Sequence, residues 1–251
     1  MMKKTILLCL ALSGLMFGAC LHEGKITPEK DENAMADSLS QPLSGDSTVY
    51  GLVCDGCTDT ILIFLPLSNI AMNPDTFNIL EAMRQHRVLG TPDVGDKVAI
   101  VRNGKDSMVA DYVIDMNDLV ATWSYQVLPT LHRRANMNGL SNQQAVKQLN
   151  DSLRQLLSIP QEYSLLLNVD NTARSTGHYR HDDDSPVEYP RLKRYGEWQL
   201  YNGKLLLTQI GLDTLGNRKK METDTAELLL LGPDTLVLRF ADGMQSYYRK
   251  E

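Results

Sequence analysis

The chain has 251 residues, of which 43% are hydrophobic and 22% are charged, and its formal net charge is -6. This acidic balance argues against a nucleic-acid partner, which needs a basic footprint, and against peripheral attachment to acidic lipid headgroups. About 200 residues follow the polar N-terminal part of the chain, which is enough for one large domain or two small ones.

The first 20 residues predict export and lipid attachment. Two lysines precede an apolar run over residues 5–17, which has the length of a signal-peptide core and is too short to cross a membrane. The segment Phe17–Cys20 resembles the bacterial lipobox, with Phe17 in the place of the usual Leu. The resemblance implies that residues 1–19 are a signal peptide, that cleavage occurs before Cys20, and that Cys20 carries the lipid.

Residues 20–47 predict a flexible tether. They are polar, with Pro, Ser, Gly and charges of both signs, and such a composition cannot bury enough apolar surface to fold alone. Without the two lysines of the signal peptide the net charge becomes about -8. The lipid on Cys20 is therefore the predicted means by which an acidic body is held at the outer membrane.

Residues 48–116 predict a small β module. Short apolar and β-branched runs alternate with turn signals, including Asn103-Gly104, which is a strong hairpin signal. Several strands and one helix within about 70 residues indicate a small barrel, for which an OB-like barrel is one candidate. The predicted strands are Thr48–Val53, Ile61–Leu65, Lys97–Arg102 and Ser107–Ile114, and the predicted helix is Phe77–Gln85.

Two cysteines remain in the predicted mature body, Cys54 and Cys57. An exported chain meets an oxidising compartment, so we expect a disulfide between them, with a modest stabilising effect because the loop is short. A catalytic redox pair is one alternative, but the neighbouring Asp55 and Asp59 would raise a thiol pKa. A two-thiol copper or zinc site is another alternative, although two ligands are half of a zinc site.

The segment Tyr50–Ile61 resembles the CxxC region of the NlpE-type outer-membrane lipoproteins, with Cys54 and Cys57 as its specific elements. That resemblance implies a lipoprotein linked to envelope stress sensing and copper tolerance.

Residues 117–251 predict a second and larger β unit. Short strands with turn signals at regular spacing, in sequence order, favour an up-and-down antiparallel barrel. The predicted strands are Asp118–Tyr125, Glu162–Val169, Thr172–Tyr179, Tyr195–Tyr201, Lys204–Ile210, Thr223–Leu231, Thr235–Phe240 and Met244–Arg249.

Trp123 near the start of a strand, Gly196-Glu197-Trp198 and the later run Asp234–Leu238 resemble the lipocalin-like lipoproteins of Bacteroidetes over residues 117–251. The resemblance implies a mainly β fold with a barrel that can hold a small apolar ligand. If so, Trp123 and Trp198 should line the cavity. Some side chains of Leu165–Leu167 and Leu205–Leu207 should join them, since alternate residues of a strand face opposite sides.

An inserted helix is predicted over Ser141–Ser158, where Val146, Leu149, Leu153 and Leu156 recur at helical spacing. We expect it to pack against one end of the barrel; gating of a cavity is the alternative.

The loop His178–Asp184 contains two imidazoles and three carboxylates. Its histidines are three residues apart and would face opposite sides of a strand. We therefore expect a solvated acidic loop in preference to a metal site.

The sequence lacks the motifs of a serine hydrolase, a zinc protease or a phosphate-binding loop. It predicts a non-enzymatic binding lipoprotein without a cofactor, with a small apolar ligand or an envelope protein as partner. The alternatives are an NlpE-like stress or copper-handling protein that uses Cys54 and Cys57, and a structural subunit of a surface assembly.

Overall fold

The computed structural model describes residues 43–69, 73–131, 151–178, 187–212, 214–215 and 218–250. The predicted signal peptide, Cys20 and most of the tether lie outside these ranges, as does most of the loop His178–Asp184. Among the described residues, no helix combines the length and the apolar composition needed to cross a membrane.

The N-terminal sheet contains six strands in the order β3-β2-β1-β5-β6-β4. All its neighbours are antiparallel except β4 and β6, which are parallel. The strands are β1 Thr48–Val53, β2 Ile61–Pro66, β3 Asp75–Asn78, β4 Val88–Leu89, β5 Lys97–Arg102 and β6 Ala110–Asp115, with helix α1 at Leu80–Arg84.

The sheet is curved, so that β3 at one edge comes next to β6 near the other edge. Asn78 at the end of β3 forms a parallel bridge with Val109, just before β6, and its N–H donates to the carbonyl of Met108 at 2.9 Å. The five longer strands thus close in the order β1-β2-β3-β6-β5, with α1 between the third and the fourth. This is the arrangement of a five-stranded OB-like barrel, which confirms that prediction.

The predicted helix Phe77–Gln85 is wrong in its first part. Phe77 lies in β3 and is fully buried, with its ring edge-on to that of Phe64 at 5.5 Å between centroids. The helix begins at Leu80, whose N–H is accepted by the Asn78 side chain at 3.0 Å. Burial of Phe77 against the sheet outweighs the helix-start signal of the preceding Pro74-Asp75.

The second sheet contains eight antiparallel strands in the order β10-β9-β7-β16-β15-β14-β13-β12. They are β7 Thr122–Val127, β9 Gln161–Leu167, β10 Ala173–Thr176, β12 Tyr195–Tyr201, β13 Lys204–Leu212, β14 Arg218–Leu231, β15 Thr235–Phe240 and β16 Gly243–Lys250. The further elements are a two-stranded pair, β8 Thr130–Leu131 and β11 Val187–Glu188, and the helices α2 Met116–Leu119 and α3 Asp151–Leu157.

The two edge strands of this sheet nearly close it into a barrel. Thr172 forms a bridge with Glu197, and the N–H of Trp198 donates to the carbonyl of Asn171 at 2.8 Å. The predicted eight-stranded antiparallel barrel is confirmed. Helix α3, inserted between β7 and β9, is the described part of the predicted helix Ser141–Ser158; residues 141–150 lie outside the described ranges.

The OB-like sheet covers one end of this barrel. Ala99 and Ile114 turn away from the OB-like core and join the barrel core, together with Leu119 of α2. The N–H of Gly90 donates to the carbonyl of Leu231 at 3.1 Å. This end, where β12 turns into β13, is the closed end of the barrel. The opposite end, where β15 turns into β16, is the open end.

Candidate ligand site at the open end of the barrel

The barrel interior is filled next to the closed end. The inward side chains there are fully buried, and the Trp123 indole N–H donates to the carbonyl of Leu119 at 2.9 Å. The fully buried inward residues are Trp123, Leu167, Leu205, Leu207, Leu236 and Leu238. This half of the barrel is therefore a packed core.

An aromatic layer lies nearer the open end. Strand register sets Tyr125 opposite Tyr163 and Tyr247 opposite Leu236, so these rings point inward. The Tyr125 ring meets those of Tyr163 and Tyr247 edge-on, with centroids 5.7 and 5.0 Å apart. Edge-to-face pairs of this kind stabilise one another beyond the area they bury.

A pocket of about 310 Å³ opens above this layer, near the lower bound for small-molecule sites. Its floor combines aromatic rings with Leu165, and its walls carry polar groups. The lining residues are Tyr125, Ser164, Leu165, Ser175, Arg191, Leu192, Lys193, Tyr195, Phe240, Asp242, Gly243, Met244, Gln245 and Tyr247. We name this cavity the mouth pocket.

Two tyrosine hydroxyls of the mouth pocket have no hydrogen-bond partner among the described residues, those of Tyr125 and Tyr247. Burial raises the pKa of Tyr125 to about 12 and also raises that of Tyr247. Both hydroxyls therefore stay protonated at neutral pH and can donate to a ligand. In contrast, the Tyr163 hydroxyl is occupied, since it donates to the carbonyl of Pro190 at 2.6 Å.

One half-buried acid, Asp224, holds two groups of the pocket wall in place. Asp224 accepts a hydrogen bond from the Tyr195 hydroxyl at 2.7 Å and from the Lys193 ammonium at 2.7 Å. The bond to Asp224 raises the pKa of Lys193. Because these charges neutralise each other, the pocket offers a ligand mainly rings and hydroxyls, with Arg191 and Asp242 as further charged groups.

The two predicted ligand residues lie away from the mouth pocket. Trp123 belongs to the packed core, and Trp198 is 2% exposed, with its indole N–H donating to the carbonyl of Asn168 at 2.9 Å. Leu165 is the one predicted lining residue that reaches the pocket. Ligand contact by Trp123 and Trp198 stays a prediction.

A second cavity of about 430 Å³ lies along the barrel seam, between β10 and β12. Trp198 and Leu43 line it, together with Leu206 and Lys220. We name it the seam pocket.

The sequence contains a signal for the mouth tyrosines that the sequence analysis did not use. Tyr125 is the last residue of one predicted strand, whereas Tyr163 and Tyr195 stand at the start of two others and Tyr247 lies inside a fourth. Neighbouring strands of an up-and-down barrel run in opposite directions, so the end of one strand and the start of the next lie at the same end of the barrel.

Cys54 and Cys57 are free in this structure. The Cys57 thiol donates to the carbonyl of Cys54 at 3.1 Å and accepts the N–H of Ile63 at 3.2 Å. The predicted disulfide is not formed here and stays a prediction for the oxidised protein.

Of the predicted loop His178–Asp184, only His178 lies within the described ranges. Its ring centroid is 5.9 Å from that of Tyr189. In the described part of the chain, no three His, Cys, Asp or Glu side chains gather as a metal site would require.

No family model and no curated protein match this sequence. The NlpE-type resemblance of Tyr50–Ile61 therefore has no family match behind it and stays a prediction. A solved structure described as a lipocalin-like protein from Bacteroides thetaiotaomicron VPI-5482 is similar at 16% identity over 53% of this chain and 97% of its own chain, with a TM-score of 0.28.

Proposed function

We propose that this protein is a non-enzymatic binding lipoprotein of the cell envelope that holds a small, mainly apolar molecule in the mouth pocket. The proposal places the lipid on Cys20, and the body at the outer membrane. In this account the OB-like module closes one end of the barrel, which leaves the other end for the ligand.

The observation that carries the proposal is the pair of partnerless hydroxyls on Tyr125 and Tyr247 above an apolar floor. These hydroxyls open into the cavity, so a hydrogen-bond acceptor on a ligand can take the place of water on them while the rest of the ligand covers the apolar floor. The volume of about 310 Å³ suits a compact molecule of up to three rings.

The test is a titration of the mature protein with N-phenyl-1-naphthylamine, a neutral probe whose fluorescence rises in apolar surroundings. We expect saturable binding with a Kd of ~10–100 µM. Gln245→Phe fills the pocket from β16 and should weaken binding about tenfold or more. Gln126→Phe is the control, because Gln126 is exposed on β7 and does not line the pocket. Absence of saturation, or equal affinity in both variants, would refute the proposal.

A second candidate function rests on the exposed thiol pair. Cys54 and Cys57 are free and stand at the two ends of one tight turn, and the Cys57 sulfur accepts the N–H of Ile63 at 3.2 Å. Soft thiolates prefer Cu(I). Copper(I) titration of the reduced mature protein should give one equivalent bound, and none in Cys54→Ser/Cys57→Ser. Equal uptake by both proteins would remove this candidate.

A further inference from the structure

The four most exposed large apolar side chains of the described residues lie at the open end of the barrel. On the β13–β14 hairpin, Leu212, Leu215 and Met221 are 73%, 84% and 69% exposed, and Met244 at the start of β16 is 70% exposed. Leu128, after β7, and Ile159, before β9, are also exposed at this end. We name these six residues the apolar rim.

The β13–β14 hairpin extends beyond the strand pairing of its two neighbours, although the Lys220 ammonium still pairs with Glu197 of β12 and the N–H of Ile210 donates to the carbonyl of Arg194 at 3.2 Å. On one side, β13 pairs with β12 only as far as Gln209, and on the other, β14 pairs with β15 only from Glu227 onward. The pairs Ile210–Lys220 and Leu212–Arg218 lie beyond both limits. The apolar residues Leu212, Leu215 and Met221 thus lie on a two-stranded ribbon beyond the part of β13 and β14 that pairs with β12 and β15.

The rim and the pocket are continuous, since Met244 belongs to both. A molecule that enters the mouth pocket therefore passes the apolar rim. Apolar side chains this exposed on one edge mark an interaction surface.

We propose that the apolar rim contacts the surface of a lipid bilayer. Three of its six members are Leu, a residue under-represented among the hot spots of protein interfaces, which are enriched in Trp, Tyr and Arg. Lys219, two residues before Met221, is exposed, whereas the Lys220 ammonium pairs with Glu197 of β12. An ammonium group beside an apolar tip suits the headgroup region, where it can remain in water while the tip is buried.

The chain length allows this contact in a lipid-anchored protein. The 23 residues 20–42 can span up to roughly 80 Å. The nine residues of β13 measure about 30 Å along the barrel. An anchor at Cys20 therefore leaves the open end free to turn back to the same membrane, although the chain joins the body at the closed end.

The test uses the mature chain with Cys20→Ser, which carries no lipid, and vesicles of the zwitterionic lipids phosphatidylethanolamine and phosphatidylcholine. We expect this protein to sediment with the vesicles. Leu212→Ser/Leu215→Ser/Met221→Ser should weaken the partitioning about tenfold or more. The matched control is Val94→Ser/Met108→Ser/Val169→Ser, which changes three exposed apolar residues outside the rim and should partition as the Cys20→Ser parent does.

Two results would overturn the proposal. If the Cys20→Ser chain does not sediment with the vesicles, the apolar rim does not bind lipid; it then either binds a protein or has no binding role. Equal partitioning of the rim and control variants would place the lipid contact elsewhere. The probe titration of the mouth pocket is carried out without lipid, so failure of the proposed function leaves the vesicle result unaffected.

Discussion

Asn202 and Ser47 are joined by two hydrogen bonds although 155 residues separate them in the chain. The Asn202 side-chain oxygen accepts the Ser47 N–H at 2.9 Å and the Ser47 hydroxyl at 2.8 Å. The Asn202 side chain also donates to the carbonyl of Gly45 at 3.0 Å. These bonds fix the start of the OB-like module to the β12–β13 turn at the closed end of the barrel.

We expect Asn202→Ala to destabilise the protein by about 2–3 kcal/mol. It removes these bonds and places alanine at a φ of 47°, in the left-handed region. Asn202→Gly removes the same bonds without the backbone strain and should cost about 1 kcal/mol less. Urea unfolding measures both variants. Wild-type stability in Asn202→Gly would show that the bonds contribute nothing.

Asp115 begins α2 and is 1% exposed. Its carboxylate accepts the N–H groups of Asn117 and Asp118 at 2.8 and 3.2 Å. Asp115→Ala should therefore cost about 1–2 kcal/mol, and Asp115→Asn, which keeps the acceptor oxygen, should cost much less. Thermal unfolding measures the stability of both variants. A similar loss of stability in Asp115→Ala and Asp115→Asn would contradict the role of Asp115 as the helix cap.

The same residue predicts a pH dependence. Burial raises the pKa of Asp115 despite the opposing hydrogen bonds from Asp118 and Asn117. The folded state therefore holds the proton more firmly than the unfolded state, and this contribution to stability is lost as pH rises through the folded pKa. Relative to Asp115→Asn, the wild type should lose stability from pH 3 upward. Urea unfolding measures the free energy of unfolding of both proteins as a function of pH. If the difference between wild type and Asp115→Asn stays constant from pH 3 upward, Asp115 has an ordinary pKa.

Gly51 in β1 tolerates no side chain. An added Cβ would lie 2.4 Å from the Leu65 carbonyl oxygen and 2.4 Å from the Phe64 ring. We expect Gly51→Ala to cost about 3 kcal/mol, because a backbone oxygen cannot move aside cheaply. Gly104→Ala is the matched control, since no heavy atom lies within 4 Å of its Cβ position. If Gly51→Ala and Gly104→Ala have the same denaturant midpoint within error, β1 and β2 move apart enough to accept the added methyl group.

The open hydroxyls predict a preference for ligands with a hydrogen-bond acceptor. We expect 2-acetonaphthone to bind more tightly than 2-ethylnaphthalene, and Tyr125→Phe/Tyr247→Phe to reduce this advantage by roughly 3–10-fold. Isothermal titration measures the two ligands on both proteins. An unchanged ratio of affinities in the variant would mean that neither hydroxyl meets the ligand.

Long strands with clear alternation were predictable from the sequence. Tyr195–Tyr201 and Thr235–Phe240 have the predicted bounds, because alternate residues of each are buried in the barrel. Strand β3 was not predictable, since its four residues contain a single buried side chain, Phe77.

The packing of the OB-like module against the barrel could also have been predicted from the sequence. Lys97–Arg102 has four consecutive buried residues, as a strand covered on both faces requires. The continuous apolar run could therefore have indicated that the OB-like sheet covers a second surface. The mouth pocket could not be located in this way, because its tyrosines come from three strands whose register only the fold determines.

The central claim is that a small apolar molecule occupies the mouth pocket. The most direct measurement follows ¹³C-labelled leucine methyl resonances of the mature protein during titration with N-phenyl-1-naphthylamine. We predict saturable shifts of the Leu165 and Leu192 methyl groups, which line the mouth pocket. Shifts confined to Leu43 and Leu206, which line the seam pocket, or no shifts at all, would contradict the account.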